Sequence, residues 1–407
     1  MKTEDIVNEF KSFVKSCVSE AKTICSRADA RKLETTVRDG GQKIVCKLFE
    51  CLIQQATDHQ TQATRQCPRC GERRRHKGKR IRHLVSSMGQ LSIEGVYWQC
   101  PACGLGDNSS NRLAGEYVSG LMHELLCFLG TSMGSFSQAA SASRKLLGVT
   151  VSDNTIRKLC VSEGNRMVRE KPPVTVVQDG EVLVGGCDGT MVNTRRDGWR
   201  ELKAFRFDHG RQIQAGALLI DSERFSRHVR GVAKRIGASR AADFFFVTDA
   251  AAWIKKLTSM YLPGSTHIID IWHAWQHIWA AGNCIHGEGS EKAGEWANRY
   301  CQLLFDSGAR GLQKRLNSIR YNVRQKRAAL EKLKAFLARN GERMAYDEYR
   351  QAGWPISSGS MESFCKQLGR RLKGPGMRWA NRNVNAVAAM VSLLASEKWD
   401  NYWKTAV

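Results

Sequence analysis

Hydrophobic and polar positions recur with two different periods along this chain, and the change of period divides it. Residues 1 to about 60 show the helical period, in which apolar side chains return every three or four positions. Two amphipathic helices are predicted there, within EDIVNEFKSFVKSCVSEAKTI and GGQKIVCKLFECLIQQA. Neither helix carries a chemical motif, so a helical scaffold or a dimerisation arm is expected.

From residue 182 the pattern predicts the order strand, strand, strand, helix, strand, helix, strand. The strand-like runs are VLVGGCDGT, GWRELKAFRFD, RQIQAGALLI, DFFFVTDA and THIIDIW. The helical runs SERFSRHVRGVAKRIG and AAWIKKLTSMY separate the last three strands. Three strands of antiparallel type followed by alternating helices and strands predict a mixed α/β sheet.

About 80 residues with a helical pattern follow the last strand, and their exposed face is basic. Their apolar positions with helical spacing include Leu312, Leu316, Ile319, Val323, Leu330, Leu333 and Leu337. Ten Lys and Arg residues lie between positions 309 and 340, against one acid, Glu331. A charged helix face is usually only solvated, but this imbalance favours a clamp on DNA phosphates. The residues expected to form the clamp are Arg324, Lys326 and Arg327.

Two knuckles of the form CPxCG flank a strand-like run earlier in the chain. They contain Cys67 and Cys70 in the first, and Cys100 and Cys103 in the second. Thiolates two residues apart on a tight turn reach one ion, and the glycine frees the backbone to bend toward it. The pattern predicts a structural zinc ribbon with four thiolate ligands. Such a site leaves no open position, so catalysis is not expected there.

Basic residues surround the first knuckle, and Arg74 and Arg75 are expected to touch the DNA backbone. His76 and His83 lie between the knuckles and are expected to be phosphate contacts or surface residues. Residues 134 to 164 predict a helix, a turn at Gly148, an N-cap at Ser152 or Asp153, and a second helix carrying Arg157 and Lys158. This is the form of a helix-turn-helix, although helix pairs joined by a glycine turn also occur in other helical domains.

Composition favours a polyanionic partner. The 407 residues carry 63 Lys+Arg against 39 Asp+Glu, a formal charge of +24. Nucleic acid is the first expectation, and an anionic membrane surface is a weaker one. No apolar run reaches the length of a membrane span, and the start MKTEDIVNEF lacks the pattern of a signal peptide. The 14 cysteines are therefore expected in a reducing cytoplasm, where they bind metal more readily than they pair.

Three acids stand out as candidate ligands of divalent cations. Asp188 ends the first strand of the predicted sheet, Asp249 ends the fourth, and Glu362 lies on a later basic helix. Each has an ordinary alternative: a turn or N-cap for either aspartate, and a solvated salt bridge with Lys366 for Glu362. Together they favour a site for two Mg²⁺ or Mn²⁺ ions at the sheet edge. The basic neighbours expected to grip DNA there are Lys366, Arg370, Lys373 and Arg378.

The runs CDGT, VTDAAAWI, HIIDIWHAWQHI and SGSMESFCKQLGRRLKGPGMRWA resemble bacterial insertion-sequence DDE transposases. The similar branch has an N-terminal zinc ribbon, a helix-turn-helix and an RNase H-like catalytic core. The resemblance extends from about Cys67 to SEKWDNYW near the C-terminus, and its final block is the most specific part. It implies catalytic roles for Asp188, Asp249 and Glu362.

The resemblance implies four regions and a DNA partner. The regions are a helical segment at 1–62, a zinc ribbon at 63–110, a helix-turn-helix region at 111–172 and a catalytic domain at 180–407 with a helical insertion at about 275–350. The implied activity is cleavage at transposon ends and transfer of the 3′ ends to target DNA by two-metal catalysis. The protein is expected to act on double-stranded DNA as a homo-oligomer, in a bacterial cytoplasm near the nucleoid.

Several alternatives stay open. Asp270 is the nearest rival as a metal ligand, and His273 and His277 have the spacing of a partial metal site but no HExxH motif. Gln276 stands where the resemblance leads us to expect glutamate. A regulator that has lost catalysis and a structure-selective nuclease of the same fold are the competing functions. No set of residues for a tyrosine or serine recombinase is evident.

Overall fold

The chain folds into two compact units, which divide after Cys160. The computed structural model describes residues 3–60, 66–110, 117–171 and 173–406. The first unit contains α1 (Thr3–Ala21), α2 (Arg27–Gln60), β1 (Arg75–Ser86), β2 (Gly89–Gln99), β3 (Gly106–Asn108), α3 (Gly120–Ser132), α4 (Phe136–Ala142) and the start of α5 (Asp153–Glu170).

The α1–α2 pair is held by a small apolar contact. Ile6 of α1 packs with Ile44 and Cys51 of α2, and Phe13 lies against them. The prediction of two helices is confirmed, but α2 begins at Arg27, well before the predicted start at Gly40. The charged stretch from Arg27 to Asp39 lacks a strong apolar stripe, which is why the pattern does not reveal it.

A three-stranded antiparallel sheet follows, in the order β1-β2-β3. Alternation along β2 buries Leu91 and Ile93, which form a core with Leu84 of β1. Beyond the sheet, α4 continues as one π-helical turn and stops at Gly148, whose φ of 67° ends the helix. Of the two N-cap candidates, Ser152 makes the capping bond, since its Oγ accepts from the Thr155 N–H at 3.1 Å.

The second unit is a mixed α/β fold. Its strands are β4 (Val182–Thr194), β5 (Gly198–His209), β6 (Gln212–Leu218), β7 (Asp243–Thr248) and β8 (Thr266–Ile269). Its further helices are α6 (Ser222–Arg235), α7 (Ala252–Tyr261), α8 (Ile271–His286), α9 (Glu291–Asn317), α10 (Arg324–Asn340), α11 (Tyr346–Gln351), α12 (Gly359–Leu372), α13 (Asn381–Ala395) and α14 (Trp399–Ala406). The sheet order is β6-β5-β4-β7-β8. β4 to β6 are antiparallel while β7 and β8 run parallel to β4, so the predicted mixed sheet is confirmed.

Both faces of this sheet are covered by helices. On one face Phe207 and Phe246 pack with Phe225 of α6 and Leu257 of α7. On the other face, Val247 packs in a second core, which is formed with the helices α8 to α11. Three layers result, and the central strands β4 and β7 are buried between them.

The basic helical stretch is two helices and not one continuous run. The chain leaves helix geometry after Asn317 and resumes it at Arg324, with Val323 at the N-cap of α10 and 55% exposed. Leu312, Leu316, Leu330, Leu333 and Leu337 are buried as their spacing predicts. The helical spacing of Ile319 and Val323 is therefore misleading, because both lie in the connection.

The outer edge of β6 is closed by side chains that come from the C-terminal helices. The Ala215 N–H donates to Ser396 Oγ at 2.9 Å, and the Leu219 N–H donates to Asn385 Oδ1 at 2.7 Å. Lys398 Nζ also donates to Gln214 Oε1 at 2.8 Å. None of the described helices is long and apolar enough to cross a membrane.

Candidate active site and four-cysteine metal centre

Asp188 lies on β4, and Asp249 directly follows the neighbouring strand β7. β4 and β7 pair in parallel with Gly185 opposite Phe246, and three further residues along each strand lead to the two aspartates. The paired register ends at Gly185 and Phe246, and the two aspartates follow close together, because the charge of Asp249 raises the pKa of Asp188. The two acids are therefore close to each other, but the prediction that Asp188 ends its strand is wrong, because β4 continues six residues further to Thr194 to pair with β5.

A close helix contact covers this pair. Gly186 lies under α12, where an added Cβ would stand 3.5 Å from Met361 Cβ and only 2.9 Å from Val247 O. The Val247 carbonyl of β7 is thus the atom that a side chain at this position would crowd, while its contact with Met361 would be an ordinary one. The same helix brings the Cys365 thiol to the Asp188 carboxylate, to which it donates a hydrogen bond.

The surroundings of Asp188 disfavour its negative charge. Burial raises the pKa of the Asp188 carboxyl group, and the charge of Asp249 raises it further. The Gly189 N–H, which donates to Asp188 Oδ1 at 2.6 Å, and the Cys365 thiol oppose this shift only in part. Two adjacent carboxylates with a net unfavourable field form the kind of site that a divalent cation stabilises.

Glu362 lies on the same helix but points to solvent. Its side chain is 67% exposed, and its Oε1 is 2.9 Å from Lys366 Nζ. Among the described residues, the only group of three or more potential ligands that lie within 4.8 Å of one another is the four-cysteine cluster. The structure thus brings Asp188 and Asp249 together, and it shows Glu362 in the salt bridge that the sequence leaves open as the alternative.

The Asp270 side chain forms hydrogen bonds that connect the end of β8, the start of α8 and the start of α12. It is 7% exposed, and its Oδ1 caps α8 by accepting from the Trp272 and His273 N–H groups at 2.7 and 3.2 Å. Its Oδ2 accepts from the Ser358 N–H at 2.5 Å and from the Ser358 hydroxyl at 2.7 Å. Both oxygens are therefore occupied, which does not favour a role as a metal ligand. Glu362 follows one turn after Ser358, because its N–H donates to the Ser358 carbonyl at 3.1 Å.

The histidines near the site pack against their neighbours. His277 stacks on the Phe336 ring with 3.8 Å between centroids, and burial lowers its pKa. His267 receives or donates hydrogen bonds with Thr248 and Thr258 at 2.9 and 3.0 Å. Burial, followed by the charge of Arg343, lowers the pKa of His267 to about 3.

The first unit holds the four-cysteine centre. Cys67 Sγ is 3.6 Å from Cys103 Sγ, and Cys70 Sγ is 3.4 and 3.7 Å from the Cys100 and Cys103 sulfurs. A tetrahedral ion with bonds of about 2.3 Å requires about 3.8 Å between sulfurs. Burial disfavours the Cys67 thiolate, but the N–H groups of its own knuckle outweigh it and lower the Cys67 pKa, while hydrogen bonds with the neighbouring thiols raise the Cys70 pKa. The four thiols thus fit a structural zinc ion in spacing and in chemistry.

The cations predicted to contact DNA are mostly, but not all, on the surface. Those exposed are Arg75, Lys158, Arg324, Arg327, Lys366, Arg370, Lys373 and Arg378, while Arg157 and Lys326 are half-buried. For Arg74 the prediction of a DNA contact is corrected by the structure. Its side chain is 2% exposed and bound to Asp107 at 3.2 Å and to the Gln66 carbonyl, so it stabilises the ribbon and is not placed to touch DNA.

Sequence reasoning misses three residues that touch the site or its supports. The pattern places Cys365 only on the apolar face of α12, and it gives no signal for Ser358. Glu201 of β5 lies near Asp188, contributes to the raised Asp188 pKa and forms an ion pair with Lys203 at 2.6 Å. The only signal for Cys365 is its position one turn beyond Met361, above the glycine pair of β4.

No family model matches the chain, and no curated protein matches it. Among solved structures, the chain is similar to the Drosophila P element transposase in its strand transfer complex. The sequence identity is 9% and the TM-score 0.25, over 70% of this chain and 80% of that chain. At these values the function has to be argued from the residues of this chain.

Proposed function

We propose that this protein is a DNA transposase of the DDE type, with Asp188, Asp249 and Glu362 as the catalytic acids. The observation that carries the proposal is the closeness of Asp188 on β4 to Asp249 after the neighbouring strand β7, where burial and the charge of Asp249 raise the Asp188 pKa. The sheet order β6-β5-β4-β7-β8 supports the RNase H-like core that the sequence resemblance implies.

Asp188 and Asp249 are the residues that would bind Mg²⁺ or Mn²⁺. Bound at this edge, divalent ions supply a Lewis acid and lower the pKa of an attacking water or 3′-hydroxyl. Glu362 would be the third ligand and would have to leave Lys366, which costs little, because exposed pairs of this spacing are worth only about a few tenths of a kcal/mol. Asp188 would give up the hydrogen bond from the Cys365 thiol in order to bind a cation with that oxygen.

Basic side chains would hold the DNA against this edge. Arg370 and Lys373 are exposed on or next to α12, and the exposed cations of α10 provide a second phosphate-binding face. We assign recognition of the transposon ends to the zinc ribbon and to the α4–α5 helix pair. The reaction is hydrolysis that frees a 3′-hydroxyl, followed by its attack on target DNA, with no covalent enzyme intermediate.

The decisive experiment replaces the acids one at a time. Purified variants are incubated with Mg²⁺, a labelled copy of the terminal repeats that flank the gene, and a plasmid target. Glu362→Gln, Asp188→Asn and Asp249→Asn should each lose cleavage and strand transfer by several orders of magnitude while they still bind the labelled DNA. Glu331→Gln is the matched control, since Glu331 is an exposed helix acid paired with Lys334 at 2.9 Å.

The outcomes separate the competing functions. Cleavage without joining to the plasmid would identify a nuclease, and binding without Mg²⁺-dependent cleavage by the wild type would identify a regulator. If Glu362→Gln cleaves as well as Glu331→Gln, Glu362 is only a surface salt bridge. Glu201 would then be the next acid to test, because it already lies near Asp188.

A further inference from the structure

The turn between β4 and β5 presents an exposed tryptophan among arginines. Trp199 is 60% exposed, and Arg195, Arg196 and Arg200 around it are exposed as well. A single exposed apolar side chain needs no explanation. An indole surrounded by guanidinium groups is different, because flat aromatic surface and positive charge are what a base and its phosphates require.

This turn is held rigidly by the segment that follows α12. The Arg195 N–H donates to the Trp379 carbonyl at 2.8 Å, and the Trp379 N–H donates to the Asn193 carbonyl at 3.0 Å. Asn381 Nδ2 also donates to Asp197 Oδ2 at 2.6 Å. The turn is therefore a fixed platform, so little conformational entropy would be lost when it binds a ligand.

The same contacts add two cations to the platform. Arg195 Nε donates to the Arg378 carbonyl at 3.3 Å, and the exposed Arg378 and Arg382 belong to this segment. Within residues 194–200 and 376–382 there are five arginines and one acid, Asp197. Asp197 is bound by Arg200, at 3.2 Å, and by Asn381, so it does not balance the other arginines.

The platform lies a fixed distance from the candidate active site. Arg195 is seven residues beyond Asp188 on the same strand and its continuation. At about 3.3 Å per residue this is about 23 Å.

We propose that residues 194–200, together with Arg378 and Arg382, form a binding site for unpaired DNA. Because these residues lie at the tip of the β4–β5 hairpin, we name it the hairpin-tip site. A base stacks on Trp199, and the arginines bind the adjoining phosphates. The strand is unpaired because the face of a base is accessible to an indole only outside the duplex stack. The inference rests on the proposed function in one respect, which is that the polymer bound is DNA.

Fluorescence anisotropy of the full chain tests this site without added Mg²⁺. The probes are a labelled 20-nucleotide oligothymidine and a labelled 20-base-pair duplex. Trp199→Ala should weaken oligothymidine binding by about tenfold and duplex binding by less than about twofold, since stacking on one aromatic ring contributes on this scale. Trp199→Phe should retain most of the affinity, and Arg196→Ala should weaken binding of both probes. The control is Met260→Ala, which removes a 59% exposed apolar side chain from α7.

If Trp199→Ala binds oligothymidine as tightly as the wild type, the inference is overturned. It is also overturned if Trp199→Ala loses the same affinity for the duplex, because the hairpin-tip site would then contact paired DNA. The first result would also be expected if the tip bound a protein. A wild type that binds neither probe would overturn both this inference and the proposed function. Failure of the proposed function alone is seen separately, as undiminished cleavage by Asp188→Asn.

Discussion

The Asp270→Asn variant tests whether Asp270 stabilises the fold through its hydrogen bonds or binds a catalytic metal ion. Asparagine keeps one oxygen for the α8 cap but presents an NH₂ group, in place of Oδ2, to the Ser358 N–H. A hydrogen bond to a charged acceptor is worth about 1.5–3 kcal/mol, so losing the backbone bond and weakening the hydroxyl bond should cost about 3 kcal/mol. Ser358→Ala removes the hydroxyl bond alone and should cost about 1.5 kcal/mol. For a unit of this size the losses correspond to falls in Tm of about 6–12 °C and 3–6 °C.

Thermal unfolding followed by circular dichroism measures both losses, and the double variant gives their coupling. The coupling should be about 1 kcal/mol or more, because the two residues share the same hydrogen bonds. At a temperature where Asp270→Asn remains folded, it should retain much more cleavage than Asp188→Asn. A variant as stable as the wild type but inactive would refute this reasoning and make Asp270 a catalytic acid.

Three further outcomes follow from the structure. We expect one zinc ion per wild-type chain, and Cys67→Ser should lower this content in the purified protein; unchanged zinc by elemental analysis would contradict the four-thiolate site. Charge reversal at Arg324, Lys326 and Arg327 should weaken binding to all DNA sequences and flatten the salt dependence, by about 0.9 in log–log slope for each phosphate that the variant no longer neutralises. A loss confined to end sequences would show that α10 reads bases. The pKa of His267 is about 3 in the folded protein, against an ordinary value of 6.5. The contribution of His267 to the free energy of unfolding should therefore be constant above about pH 6.5 and fall between pH 6.5 and 3. The fall should be at most about 1.4 kcal/mol per pH unit and smaller in His267→Gln; equal pH profiles would contradict it.

Features set by local spacing could be predicted from the sequence. The four cysteines come together because each CPxCG turn fixes two thiols, and the two turns are joined by one antiparallel hairpin. Asp188 and Asp249 could be paired because each follows an apolar strand run on neighbouring strands, although the sequence misplaces the end of β4, which continues to Thr194. Both inferences need only the geometry of one turn or one strand.

Features set by distant partners could not be predicted. Arg74 stands in a run of basic residues that looks like surface, and its burial depends on Asp107, 33 residues away. The joint of Asp270 with Ser358 spans 88 residues, and no periodic pattern marks either side. The side-chain conformation of Glu362 could not be predicted either, because the same helix position allows a salt bridge with Lys366 or a side chain directed toward the sheet.

The closure of β6 by the C-terminal helices has a consequence for synthesis of the chain. The Ala215 N–H is covered by Ser396, 181 residues later, so the open edge of β6 emerges from the ribosome long before its cover. At about 5–20 residues per second, the edge remains unpaired for about 10–35 s in every nascent chain. An uncovered strand edge pairs readily with another chain. Nascent or truncated chains that end before Asn385 should therefore depend on chaperones to remain unaggregated, and translation rate should affect the yield of folded protein.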